Sequence, residues 1–267
     1  MRRYLNFYLS NMKIAVLSQF QYRAANYFYM IGMIAEPIIY LVVWSTVAQA
    51  QGGSVAGYTP GYFAAYYIVW TLVRNMNIVF TPYGWEWRIQ RGQLSAELLA
   101  PIHPLHRDIS FFAGWKGVVI ILWLPLAAIL ALIFKPELHP TLLQVVVFFS
   151  AIWGAYLIRT MLLSLLGMIC FWTVRVGAIY ELFFAAELIL SGRLVPMGLM
   201  PFWVQNLAIY LPFQWTFFFP IQSLVGQMTP TQLFSGLGMQ VLWIGVGVLA
   251  VQMVWRLGIR KYSAVGN

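Results

Sequence analysis

Apolar residues in this chain come in long uninterrupted blocks, and the polar residues are gathered into short stretches between them. There is no period-two alternation that would mark half-buried strands. A helix needs about 20 mostly apolar residues to cross a bilayer. On that scale the blocks predict spans at about 27–48, 62–80, 117–134, 142–171, 177–191 and 237–255. The fourth is long for one crossing and the fifth is short. The uncharged, Gly-rich stretch from Gln49 to Gly61 reads as a loop, Lys135 to Pro140 as a short turn, and Trp172 to Gly177 as a tight turn around Arg175. Residues 83–116 form the most polar part of the chain.

Residues 1–25 have a different pattern. Asn6, Asn11, Lys13, Gln19 and Gln21 interrupt them too often for a span or a secretory leader. Wound as a helix, they place Leu5, Leu9, Met12, Val16 and Phe20 on one face, with Asn6, Ser10 and Lys13 on another. This predicts an amphipathic helix lying in the membrane surface.

Composition supports lipid as the solvent. Of 267 residues, 61% are hydrophobic and 9% charged, against about 25% charged in a soluble domain. The formal net charge of +9 does not suggest nucleic acid, because the cations sit in short clusters between the apolar blocks, as in loops that face anionic lipid. Their distribution predicts orientation. With the N-terminus in the cytoplasm, Arg2, Arg3, Lys13, Arg23, Arg88, Arg91, Arg107, Lys116, Arg175, Arg256, Arg260 and Lys261 all fall inside, and only Lys135 and Arg193 outside. Both chain ends are therefore expected in the cytoplasm. The same bias decides how to read residues 194–236. A crossing there would carry Arg256, Arg260 and Lys261 to the outside, and Pro196, Pro201, Pro212, Pro220 and Pro230 cut the stretch into short pieces. It is expected to dip into the outer leaflet and return, covered by protein or facing a water-filled cavity.

Candidate chemistry is sparse. None of Lys13, Lys116, Lys135 and Lys261 follows a glycine, so no phosphate-binding loop of the GK[ST] type exists and the chain is not expected to be an ATPase. No catalytic residue, cofactor site or metal site is expected. His103 and His106 flank Pro104 near Asp108, and a proline there was expected to break the helix that would align them. Cys170 stands alone in an apolar run and reads as a small buried hydrophobe. The informative residues are the ionisable ones inside spans: Glu36, Arg74, Arg159, Glu181 and Glu187. An unpaired charge at the centre of a span costs roughly 2.5–3.5 kcal/mol on insertion scales. Depth counting pairs Glu36 with Arg74 and Arg159 with Glu181. A role in locking helices together and a role in a substrate or proton path both stay open at this point.

The loop 83–104 carries a motif. It contains Ile89, Gly92, Leu94, Leu98, Leu99 and Pro101 in the order I-x-x-G-x-L-x-x-x-L-L-x-P. Gly92 suits a left-handed helix end, and Pro101 stops the short helix that follows. Further on come Ser191-Gly192-Arg193-Leu194-Val195-Pro196, then Pro201-Phe202-Trp203 and Tyr210-Leu211-Pro212-Phe213. In order, these resemble the coupling loop and the outer-leaflet segment of type-2 ABC exporter permeases, and Arg260 to Gly266 is similar to the family's tail. The likeness is nearest to the subgroup that sets two different permeases beside one ATPase.

The resemblance implies one all-helical permease domain over residues 1–267. It would have six transmembrane helices, an N-terminal interfacial helix and re-entrant outer-leaflet helices before the last span, in a bacterial inner membrane. It implies that Ile89, Gly92, Leu94, Leu98, Leu99 and Pro101 receive the stroke of separate ATP-binding-cassette subunits, which would bind the ATP and Mg. It also implies a second permease, as heterodimer or homodimer, across the export path, and assigns Gly192, Pro196, Pro201, Trp203, Pro212 and Phe213 to the outer-leaflet segment. The cargo would be a drug or a lipid. An ion-coupled carrier using the buried carboxylates and a non-transporting scaffold are the alternatives.

Overall fold

The computed structural model describes residues 2–21 and 23–263. Met1, Tyr22 and 264–267, the latter part of the expected tail motif, lie outside the described residues, as do several side chains near the start of the first expected span. Eleven α-helices follow in order: α1 (Arg2–Gln21), α2 (Arg23–Ala50), α3 (Pro60–Met76), α4 (Pro82–Gln90), α5 (Gln93–Leu98), α6 (Pro104–Phe134), α7 (Leu142–Met168), α8 (Gly177–Leu190), α9 (Phe202–Ile209), α10 (Phe218–Val225) and α11 (Pro230–Gly258). A 3-10 turn, Ile169–Phe171, extends α7.

The starts of these helices are written in one local code. Thr59, Thr81 and Thr229 each precede a proline and cap the helix that the proline opens. The threonine hydroxyl accepts an otherwise unpaired N–H, and proline at the first position has no N–H to lose. Thr141 with Gln144, and Thr229 with Gln232, complete reciprocal capping boxes. Pro104 belongs to the same code. It was expected to break a helix and instead opens one, with the His103 ring accepting from the Leu105 N–H at 3.1 Å. The third expected span therefore begins thirteen residues earlier than its apolar run, as α6 carries straight on from the polar segment.

Among the described residues, three helices are long and apolar enough to cross a membrane: α6, α7 with its 3-10 turn, and α11. The other expected spans are shorter or fall partly outside the described residues. α3, with 17 residues, is about 26 Å long and α8, with 14, about 21 Å, at 1.5 Å per residue and against a hydrocarbon core of about 30 Å.

α7 and α11 form the main packed pair and run parallel. Gly154 sits against Gln240, Gly247 against Met161, and Gly258 against Phe171, each so close that an added Cβ would collide. Gln240 also donates to the Ala151 carbonyl at 3.0 Å. Because the two helices point the same way, the chain between them must return to the side on which α7 begins. Residues 191–229 then lie on that side: Gln144, at the start of α7, donates to the Gly226 carbonyl at 2.8 Å.

α1 packs on α6 rather than standing alone. Gly114 of α6 meets the backbone of Met12 directly, so a Cβ there would lie 2.5 Å from Met12 Cα. Ala15 is buried in the contact, and the Tyr8 hydroxyl bonds the His106 ring at 2.7 Å. Of the expected apolar face, Leu5, Leu9 and Phe20 remain exposed, whereas Met12 and Val16 are half-buried.

Candidate functional site

Two faces of the molecule are defined by what gathers there. At one, the α2–α3 loop, the α6–α7 turn and the α10–α11 connection surround a cavity of about 900 Å³ that includes Tyr58, Tyr62, Glu137, Gln144, Gly226 and Pro230. At the opposite ends of the long helices lie α4, α5, the 172–176 turn and residues 259–263. The segment expected to be the coupling loop is here.

α4 and α5 meet at Gly92, whose φ of 70° lies in the left-handed region that glycine adopts without penalty. The six motif residues divide by exposure. Ile89 and Leu94 are buried with Trp85, Leu105, Phe171 and Val251. Leu98 is 39% exposed, Leu99 89%, and Pro101 is also exposed. Leu94 therefore anchors the stub to the protein, and Leu98 and Leu99 are left uncovered; Trp87 of α4 is also exposed, at 56%.

The residue that fixes this element was read from the sequence only as one more cytoplasmic cation. Arg88 is buried and holds Asp108 of α6 through two parallel bonds of 2.9 and 2.8 Å. Its Nε lies 3.2 Å from Glu97 of α5, and its guanidinium covers Phe80 and Trp85 at 4.2 and 4.7 Å. Such planar two-point pairing fixes direction as well as distance. Further bonds tie the element to other helices. Glu86 accepts from the Val176 N–H, just before α8, at 2.9 Å. The Tyr83 hydroxyl donates to Glu181 at 3.3 Å, and Ser95 bonds the Tyr262 hydroxyl at 2.8 Å. Trp85 fills the notch at Gly167 of α7 and stands edge-on to Trp255 of α11. α5 is thus tied through α4, by Arg88, Trp85, Glu86 and Tyr83, to α6, α7, α8 and α11.

Burial, with His106 and Arg88 nearby, pushes the His103 imidazole down to about 4. The neutral ring is needed, since its Nδ1 accepts the α6 cap. A histidine held below its usual value of about 6.5 adds stability that is complete above that pH and is lost as pH falls from about 6.5 towards 4. Glu97 is raised by its own burial and acts in the opposite sense. His103→Asn keeps a capping acceptor without the proton. Between pH 7.5 and 5, the unfolding temperature of wild type should therefore fall further than that of His103→Asn.

Four of the five ionisable residues expected inside spans, Glu36, Arg74, Arg159 and Glu187, form one ladder with Arg193. Arg74 reaches Glu36 at 2.8 Å, as depth counting expects. Glu36 lies 3.7 Å from Arg193, Arg193 lies 3.9 Å from Glu187, and Glu187 holds Arg159 at 2.8 Å. The expected pair of Arg159 and Glu181 is not formed. Glu181 is exposed and bonds Tyr83, and Glu187, 1% exposed, takes its place. Arg193 also departs from expectation. It was counted as an outside loop cation, yet it is buried against Phe184, Phe217 and Trp70.

The cations here are also served by the carbonyl end of α3. Lys116, fully buried, donates to the Asn75 carbonyl at 3.2 Å and to that of Ile78, and Arg159 donates to that of Asn77 at 2.9 Å. The negative end of a helix stabilises nearby cations, here Lys116, which has no carboxylate partner among the described residues, and Arg159 beside its bond to Glu187.

In the segment expected to lie in the outer leaflet, Gly192 at φ 75° turns the chain so that its carbonyl accepts from Tyr66 at 2.6 Å. Pro196 and Pro212 are buried and Phe213 half-buried, while Pro201 and Trp203 are exposed.

Residues 34–266 match the family described as "ABC-2 family transporter protein". No curated protein matches the chain.

Proposed function

Since the chain belongs to the ABC-2 transporter family and is thus a multi-pass membrane subunit whose family implies an ATPase partner, we propose that it is an exporter permease, with α5 as the part its ATPase grips. It pairs with a second permease, like or unlike itself, and the two line a path that ATP-driven closure reshapes. Six helices cross the bacterial inner membrane, α1 lies in its surface, and both chain ends face the cytoplasm. The cargo is a drug-like or lipid compound. ATP and Mg belong to the partner.

The observation that carries this reading is the contrast within α4–α5. A stub of six residues exposes Leu98 and Leu99 while Arg88, Leu94 and Trp85 lock its other side to the long helices. An ordinary surface loop has no need of both. The parallel course of α7 and α11 also supports the expected layout, since it requires residues 191–229 to stay on one side. An ion-coupled carrier is disfavoured by the ladder, where Glu36 and Glu187 are each already held by arginine.

Leu98→Asp would place a carboxylate in the ATPase groove, at a cost of several kcal/mol and so at least about a tenfold loss of complex. Permease levels should be normal. The ATPase should no longer copurify, and ATP-driven uptake into inside-out vesicles should stop. An unchanged complex would place docking elsewhere. Transport that needs an ion gradient but no ATP would return the carrier to first place.

A further inference from the structure

A cavity of about 470 Å³ opens beside the 3-10 turn that ends α7. Ile89, Phe171 and Val174 give it apolar walls, Trp172 stands at its edge, and Arg91 and Lys261 supply two cations. No Asp or Glu lines it. Arg91 and Lys261 are exposed, and neither makes an ion pair among the described residues. The two cations thus share one cavity whose lining holds no acidic residue.

The cavity's level is set by the helices that lead to it. Phe171 is the last residue of one membrane-length helix, and Lys261 lies three residues beyond the end of another. We infer from this shared end of two membrane-length helices that the cavity lies at the level of the lipid headgroups. Trp172 (48% exposed) and Val174 (76% exposed) suit that level, where tryptophan rings concentrate. A ligand for this place must carry negative charge for Arg91 and Lys261 and apolar substance for Phe171 and Val174.

We propose that the cavity holds the phosphodiester headgroup of an anionic membrane lipid, with Arg91 and Lys261 on the phosphate and the glycerol end of the acyl chains against Phe171 and Val174. Phosphate oxygens accept readily from both cations, and cationic side chains near a membrane surface favour anionic lipid. Because Ile89 belongs to α4 and Lys261 follows α11, a lipid here would bridge the coupling element to the long helices.

The purified chain in neutral detergent, titrated with phosphatidylglycerol or with phosphatidylcholine, tests this. Phosphatidylglycerol should raise the unfolding temperature by several degrees more than phosphatidylcholine. Arg91→Gln with Lys261→Gln should lose most of that difference, whereas Arg91→Lys with Lys261→Arg, and the remote Lys135→Gln, should keep it. An equal response in the Gln double variant would overturn the proposal. So would full stabilisation by inorganic phosphate alone, which would make the site one for a free anion. If the Gln double variant kept its lipid response but lost the ATPase, the cavity would be a protein contact instead. None of these readouts requires transport, so they stand apart from the exporter reading.

Discussion

Replacing Asp108 with Asn should destabilise the protein by about 3–5 kcal/mol, the usual cost of leaving one partner of a buried ion pair without the other. Arg88 and Asp108 are each 6% exposed, and Asn cannot return two charge-assisted bonds to the guanidinium. Glu97 stays within 3.2 Å of Arg88, which favours the lower end of that range. Removing the charge from both sides, as Arg88→Met with Asp108→Leu, should recover part of the loss, because no buried charge is then left alone. The functional consequence is sharper than the stability loss. With Arg88 released from Asp108, α5 keeps its exposed leucines and its bond to Arg88, but the two-point joint from α4 to α6 is lost. The ATPase should still copurify, while the ratio of ATP hydrolysed to substrate moved should rise severalfold. Unfolding temperature in detergent and that ratio in proteoliposomes measure the two effects separately. An unchanged ratio in a folded Asp108→Asn protein would show that the stroke travels by another route.

The second large effect is expected in the ladder. Glu187→Gln leaves Arg159 and Arg193 without their shared carboxylate, in a place where water does not reach, and should again cost about 3–5 kcal/mol. Arg159→Met should cost a similar amount. The double variant should lose much less than the two together, because the energies of directly bonded residues are not additive. The same cycle run on Arg159 and Glu181 should give no coupling. A folded, stable Glu187→Gln protein that no longer transports would instead assign Glu187 to the path.

Why Glu187 and not Glu181 could have been seen in advance is a matter of rise per residue. Arg159 stands nine residues before Met168, about 14 Å from the end of its helix at 1.5 Å per residue. Glu187 stands ten residues after Gly177, about 15 Å into the next helix. Glu181 is only about 6 Å in. Treating Arg159 as a residue near the end of its span, without measuring the distance, paired it with the wrong glutamate.

Glu36 and Arg74 were legible because both helix ends are marked, by Pro60 on one side and the loop glycines on the other. The short helix after Gly92 was legible for the same reason, with Gly92 and Pro101 bracketing it. Arg88 was not. Its partners lie 9 and 20 residues away on two further helices, and a charge count cannot distinguish an arginine that faces solvent from one that closes a joint. One signal was available: the chain has only 7 acidic residues, and three of them, Glu86, Glu97 and Asp108, fall in a segment otherwise read as basic. Arg193 was misplaced because a charge rule assigns loops to sides and says nothing of a loop that folds back among helices.

The parallel contact of α7 and α11 has a consequence for how the protein is made. The notches at Gly154 and at the turn after α7 are filled by Gln240 and by the close approach of Gly258, residues synthesised nearly ninety positions later. Until α11 has left the ribosome, α7 sits in the bilayer with that side, including the Ala151 carbonyl that Gln240 will occupy, facing lipid or a chaperone. The helices can enter the membrane one after another, but the pair can close only once α11 arrives. A ribosome stalled before Pro230 should therefore hold a chain that is inserted yet still open to protease along α7, and release of the remaining 38 residues should close it in a single late step.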